Sequence, residues 1–383
     1  MEQHFRRILV ITPAQLGDAL LCSPLIQLAR ARWPDARIDV LGFAKTLALL
    51  AGNPDVAELI EIPTSGGRGA QLLQAWKLRR RYDLALVTRS GDRSHLYGIV
   101  CARVRSVVLP GGGPGSDWKR RMAQHAIVPA PQTHQVLQKL QLLEPWIDPP
   151  ASLSLSPPAA APLPPAIEGR IAHPCVVVHV PSMWRYKQWP PEHFRRVVEG
   201  LLADGVQVLL TGADTSGDRS QVEQMLGADT LPGVLDLSGQ LSIAQLHTLL
   251  RHADAYLGPD TSVTHLAAAV GVPIVTMFGP TNPEDFGPWP RNHPPTQPWR
   301  RRASRQQVGN IVVLQGPDLP GRTCVPCNQM GCGNRHDSPS HCLQQLEPER
   351  VLSELRLTLQ RAGLKQAGGA AASRSAADVE RLA

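Results

Sequence analysis

Short runs of consecutive apolar residues alternate with amphipathic stretches twice along this chain, and that rhythm limits the fold more than any other feature. In the first half RILVIT (7–12), RIDVLGF (37–43), ELIEIP (58–63) and DLALVT (83–88) predict strands. DALLCSPLIQLARARW (18–33) and a stretch around Leu72–Arg81 predict helices between them. In the second half CVVVHV (175–180), VQVLLTG (206–212), AYLG (255–258) and PIVTMFG (273–279) predict strands. The helices there are PEHFRRVVEGLLADG (191–205), SIAQLHTLLRHA (242–253) and TSVTHLAAAVG (261–271). Strands without polar alternation are buried on both faces, so each half predicts a parallel sheet covered by helices on both sides. Between the halves, residues 149–174 are rich in Pro, Ala and Ser and predict an extended linker or surface connection. The expected organisation is an α/β domain over 1–150 and the proline-rich linker over 151–174. A second α/β domain follows over 175–360, then a frayed tail over 361–383.

The longest apolar stretches carry Gly and Pro and fall short of a bilayer span, and the N-terminal ILVIT suits a buried strand better than a signal peptide. The expectation is a cytoplasmic protein. A net charge of +7 favours anionic partners. The basic clusters Arg79–Arg81, Lys119–Arg121 and Arg300–Arg302 lack the interleaved aromatics of a nucleic-acid module, so no nucleic-acid partner is expected.

Four loops at predicted strand ends hold side chains suited to chemistry. GPDTSVTH (258–265) joins a strand to a helix, so the backbone N–H groups of Thr261, Ser262 and Val263 would face outward at a helix start that favours an anion. Asp260, Thr264 and His265 crowd the same turn; for Asp260 alone, an N-cap role serves as well. HVPSMWRYKQWPPEHF (179–194) places Lys187 among Trp184, Tyr186 and Trp189, where it would meet a phosphate or the face of a ring. TPAQLGDALLCSPL (12–25) places Asp18 at a helix start, as a cap or as a general base. TRSGDRSHLYG (88–98) offers Arg89, Ser90, Asp92 and Arg93, suited to a polyhydroxylated, phosphorylated acceptor or to plain solvent.

Of seven cysteines, Cys22, Cys101 and Cys175 stand alone in apolar surroundings and read as core residues. Cys324, Cys327, Cys332 and Cys342 are crowded into nineteen residues with His336 and His341. In a cytosolic chain this spacing points to a structural zinc site, with free thiols or a packed loop as the alternatives.

Taken together, GDALLCSPLI, RYKQWPPEHF, LTGAD (210–214), the run from LSGQLSIAQLHTLLRHADAYLGPDTSVTH to VTMFGPT, and GPW (287–289) resemble glycosyltransferase family 9. These are the ADP-heptose:lipopolysaccharide heptosyltransferases, and the likeness spans roughly residues 7–290. The loop around Lys187 and the GPW are closest to the branch-adding, type III-like members. The resemblance implies a GT-B fold, two Rossmann-like domains facing a cleft, with the nucleotide sugar held mainly by the second. It implies inverting transfer of heptose from ADP-heptose to a lipopolysaccharide core acceptor, with no cofactor required and peripheral contact with the cytoplasmic face of the inner membrane. Carried over by position, Asp18 matches the family's base and Lys187 its phosphate-contacting lysine. Asp260, Thr261, Ser262 and His265 match its donor signature, with Ser262 where many members have Gly; Asp214 falls near the nucleoside. The alternatives are another nucleotide sugar, an epimerase, or a non-catalytic sugar-nucleotide or glycolipid-binding protein.

Overall fold

In the computed structural model, which describes residues 3–13, 16–111, 114–228 and 231–363, both rhythms become sheets. The tail expected over 361–383 lies outside the described residues from 364 onward. The first sheet comprises β1 (Arg7–Ile11), β2 (Arg37–Gly42), β3 (Glu58–Glu61), β4 (Tyr82–Val87), β5 (Ala102–Val108) and β6 (His125–Ile127). All are parallel, in the order β3-β2-β1-β4-β5-β6. The second comprises β7 (Cys175–His179), β8 (Gln207–Thr211), β9 (Val234–Asp236), β10 (Ala255–Pro259), β11 (Ile274–Phe278), β12 (Arg305–Val308) and β13 (Ile311–Gln315). Its order is β12-β13-β11-β10-β7-β8-β9, parallel except for the β12–β13 hairpin at the edge. Both are doubly wound, so strand order reverses between β1 and β4 and again between β7 and β10. Crevices beyond the carboxyl ends at such reversals are where these sheets bind ligands.

The stretch 18–33 forms two helices, α1 (Leu16–Leu20) and α2 (Ser23–Arg32), where the sequence pattern predicted one. Pro24 has no N–H to give the carbonyl four residues back and would clash with it. The Ser23 hydroxyl takes that carbonyl instead, donating to the Leu20 oxygen at 2.7 Å. Asp18 therefore sits on a short, separate turn of helix.

The proline-rich segment is extended, but it is not a loose surface connection. Leu153, Leu155, Leu163 and Ile167 are buried in one apolar cluster with Leu20, Leu21, Leu49 and Val136 of the first half and Tyr256, Leu266, Phe278 and Trp289 of the second. Its backbone is pinned to both halves: Ser156 N–H donates to Ser23 Oγ, Ala159 N–H to Ala51 O, and Ala161 N–H to Ala244 O. Each buried leucine contributes roughly 1.5–3 kcal/mol. Proline also lowers the entropy lost when the strap is ordered. Density of proline limits regular structure here to one short helix, Pro165–Glu168, and does not prevent burial.

A second tie between the halves is His134, fully buried ahead of helix α3 (Gln135–Leu140). Its Nε2–H donates to Gly287 O at 2.8 Å and its Nδ1 accepts the Val136 N–H at 3.2 Å. One donor and one acceptor are thus both used by the neutral ring, and burial pushes its pKa down to about 3. His179 at the end of β7, hydrogen-bonded to Thr211, is likewise pushed down to about 4 by burial.

Two outcomes follow for stability. Between pH 7 and pH 5 the unfolded chain protonates these histidines near 6.5 while the folded chain does not. Stability present above 6.5 is therefore lost as pH falls, by about 2 kcal/mol per histidine at pH 5. His134→Asn should remove only its own share, about 2 kcal/mol, of the stability lost over that range; an unchanged pH slope would contradict the assignment. Separately, a Cβ at Gly316 would lie 1.7 Å from the Cys342 carbonyl oxygen, whereas one at Gly217 meets nothing within 4 Å. Denaturant titration should show Gly316→Ala costing about 3 kcal/mol or more, and Gly217→Ala near zero.

Candidate active site

The predicted site residues gather at the two strand-order reversals, and they do so as two ion pairs. Asp18 follows β1 and Arg89 follows β4; Arg89 Nη1 lies 3.3 Å from Asp18 Oδ2, with the carboxylate only 10% exposed. Lys187 follows β7 and Asp260 follows β10; Lys187 Nζ donates to Asp260 Oδ2 at 2.6 Å. Burial works to lower the Lys187 pKa, but attraction and hydrogen bonding from Asp260 outweigh it and the net shift is upward. Asp18, in the opposite half, adds a smaller upward push.

The two pairs are brought together by a close approach of backbone to side chain. Helix α4 (Ser262–Val270) starts after β10, and α1 packs against it. A Cβ on Gly17 would come 3.1 Å from His265 Cδ2 and 3.8 Å from Ser262 Cα. Gly17 thus lets the turn bearing Asp18 rest on the first turn of α4. His265 is 5% exposed and its Nδ1 has no hydrogen-bond partner among the described residues. Burial lowers its pKa, partly opposed by Asp260, so the imidazole is neutral. A buried orphan polar atom at the mouth of a cleft is a place for a ligand group to complete.

The helix start itself differs from the simplest capping scheme. Thr261, extended at φ −139°, is the N-cap and makes no side-chain cap bond; Asp260 is turned to Lys187 instead. Thr264 is spent on structure, donating to Pro259 O at 2.6 Å and meeting the Tyr256 hydroxyl at 2.9 Å. The first-turn N–H groups of Ser262 and Val263 have no acceptor within the helix. They carry the partial positive charge of a helix start, and Lys187, its charge balanced by Asp260, stands beside them as a further donor.

The aromatic residues near Lys187 are engaged in packing of their own. Trp189 is buried and donates to Leu346 O at 3.0 Å. Trp184 stacks on His336 with centroids 4.2 Å apart, and Ser340 Oγ donates to Tyr186 O at 2.6 Å. The cysteine-bearing segment, remote in sequence from Lys187, is therefore the outer brace of the Lys187 loop. Cys342 is buried and its thiol is pushed up to about 12 by that burial, with smaller upward contributions from Cys332, Cys327 and Cys324. Cys332, Cys327 and Cys324 thus each lie within electrostatic reach of Cys342. The one group of three ligand atoms within 4.8 Å among the described residues is elsewhere: His173, Cys175 and Asp254.

On the other side of Arg89 a cavity of about 720 Å³ opens beyond β4 and β5, lined by Arg89, Ser90, Arg93, Gln135 and Gln138 among others. Its loop is held by Lys119, whose Nζ donates to Ser90 O at 2.6 Å and pairs with Asp92 at 2.7 Å. Asp214, after β8, is exposed and paired with Arg219, on the same edge of the second sheet but apart from the Lys187–Asp260 pair.

Sequence reading passed over Lys139. It is 1% exposed on α3, and among the described residues its Nζ has hydrogen bonds only to Gln135, at 3.1 and 3.4 Å. It lies close enough to lower the pKa of Cys22 and His265. The available signal was its position three residues after buried Val136, on the inward stripe of the helix.

The sequence pattern of Glycosyltransferase family 9 (heptosyltransferase) matches residues 107–306, slightly more than half of the chain. Lipopolysaccharide heptosyltransferase 3 of Escherichia coli K12 is 27% identical over 291 residues, covering 72% of this chain and 83% of that protein. Lipopolysaccharide heptosyltransferase 2 of Salmonella typhimurium is 26% identical over 393 residues, covering 94% of this chain and 100% of that protein. Among solved structures, the E. coli ADP-heptose lps heptosyltransferase II superposes with a TM-score of 0.69 at 21% identity, covering 93% of this chain and 99% of that one. A family 9 glycosyl transferase from Veillonella parvula superposes with a TM-score of 0.71 at 18% identity, covering 94% and 99%. The fold is the GT-B fold of these enzymes, and the chain belongs to glycosyltransferase family 9, the heptosyltransferases.

Proposed function

We propose that this enzyme moves heptose from ADP-heptose to a sugar of the lipopolysaccharide core, inverting the anomeric carbon. The observation that carries the reading is the meeting of two ion pairs across the Gly17–His265 contact, one pair from each strand-order reversal. In this reading Lys187 and the first-turn N–H groups of α4 hold the diphosphate and take up the charge that develops as it leaves. Asp260 aims Lys187, and Thr261, Ser262, Val263 and His265 form the floor of the donor site, with Asp214 at its nucleoside end. The acceptor lies in the cavity lined by Arg89, Ser90 and Arg93. Its hydroxyl loses a proton to Asp18 as the oxygen attacks the anomeric carbon from the face opposite the departing ADP. Arg89 keeps Asp18 turned toward that hydroxyl. No cofactor enters these steps, and the acceptor, a glycolipid, is met at a membrane surface.

We further propose that Cys324, Cys327, Cys332 and Cys342 hold a structural zinc that stiffens the brace behind Lys187. Thiolates are the soft ligands zinc favours, and the segment's contacts with Trp184 and Tyr186 supply the structural purpose.

Mass spectrometry of purified protein with ADP-heptose and truncated core acceptors should show addition of one heptose. Asp18→Asn should lower kcat about 10²–10⁴-fold with little change in donor KM. Lys187→Ala should lower kcat/KM for the donor by about 10²–10³-fold. Binding of ADP without any turnover would instead support a non-catalytic sugar-nucleotide-binding protein. Elemental analysis should find one zinc per chain, and Cys342→Ser should release it; metal-free protein with full activity would remove the zinc proposal.

A further inference from the structure

The helix Gly67–Lys77 covers one face of the first sheet but buries only Ala75 among its side chains. Leu72, Leu73 and Trp76 point outward, 68%, 56% and 65% exposed. Leu72 and Trp76 are four residues apart and Leu73 is adjacent, so the three share one face. The neighbouring helix Asp92–Cys101 adds Leu96, 52% exposed, and Tyr97 fastens the two helices through a 2.8 Å hydrogen bond to Gln74 Oε1. Exposing this much large apolar surface on adjoining helices needs a reason.

The charge around these side chains is one-sided. From Pro63 to Arg81 the chain has no carboxylate, while Arg68, Lys77, Arg79, Arg80 and Arg81 are all exposed. The Arg79 guanidinium lies 4.8 Å over the Trp76 ring, so the cationic and apolar groups form one surface. A second copy of the chain would bring two such cation sets face to face. A bilayer supplies what the surface lacks: acyl chains for the leucines, an interface for the tryptophan and phosphates for the arginines.

We propose that this face seats the first domain on a bilayer bearing anionic lipids. Leu72, Leu73, Trp76 and Leu96 enter the headgroup–acyl boundary, and Arg68, Lys77 and Arg79–Arg81 lie among the lipid phosphates. The helix carrying Leu96 begins at Asp92, which lines the 720 Å³ cavity, so the seated face adjoins the mouth of that cavity. A sugar acceptor anchored in the same bilayer then reaches the cavity without leaving its membrane. That purpose rests on the glycolipid reading of the acceptor; the seating itself does not.

The test is co-flotation with vesicles of phosphatidylcholine alone or mixed with phosphatidylglycerol, without donor or acceptor sugar. The full chain should float with the mixed vesicles and release at high salt. Arg79→Gln/Arg80→Gln/Arg81→Gln should weaken that binding roughly a hundredfold, and Leu72→Ser/Leu73→Ser/Trp76→Ser should abolish it. Both variants should keep wild-type transfer to a water-soluble truncated acceptor, which also shows that they fold. Equal flotation of wild type and variants, or no flotation of the wild type, would overturn the proposal. So would concentration-dependent self-association that the leucine variant removes while vesicle binding stays absent. Vesicle binding with no transfer to any acceptor would leave the membrane face standing and refute only the proposed reaction.

Discussion

A glycine backbone resting on a histidine ring sets the geometry of this enzyme. Gly17 belongs to the turn that carries Asp18, and His265 to the helix start that follows Asp260. With no Cβ between them the two halves meet at van der Waals contact, at the place where both sheets offer their crevices. A larger residue at 17 would push the Asp18–Arg89 pair away from the Lys187–Asp260 pair. The apolar cluster shared by both halves and the proline-rich strap then hold that contact from behind. A large rotation of one half against the other would have to open this shared core.

Electrostatics at the cleft is arranged largely as paired charges. Asp18 with Arg89 and Lys187 with Asp260 each neutralise a partly buried charge and fix its direction. Breaking such a pair leaves the survivor uncompensated, so single substitutions there act on position as well as on charge. Lys139 departs from this: it is buried among amide, thiol and imidazole groups with no carboxylate within ion-pairing distance among the described residues. It leaves the junction with a net positive potential, matched to the negative charge that a nucleotide diphosphate brings.

Much of this was legible in the sequence, for physical reasons that differ by element. Strands buried on both faces read as unbroken apolar runs, which is why β1, β4, β7 and β10 and the loops at their ends were found together with Asp18, Arg89, Lys187 and Asp260. IVVLQ at 311–315 is such a run too, but it lacks a following helix and pairs with an edge hairpin, so the βα rhythm did not pick it out. The break at Pro24 was present in the sequence and masked by strong amphipathic spacing. The strap was misjudged because proline density reports on regular structure, whereas burial is decided by the few leucines between the prolines. That Thr261 and not Asp260 caps α4 is a tertiary choice, made by a lysine 73 residues away. No local pattern encodes it.

The segment between Cys324 and Leu346 has a temporal consequence. Trp189 and Leu346 are joined across 157 residues, and Tyr186 and Ser340 across 154. A ribosome adding roughly 5–20 residues per second carries the lysine-bearing loop for on the order of ten seconds or more before its brace exists. The central strands of the second sheet can pair in that interval, but the loop cannot settle. The lysine-bearing loop is thus fixed late in synthesis, together with the face of the second sheet that Leu343, Leu346, Val351 and Leu355 cover.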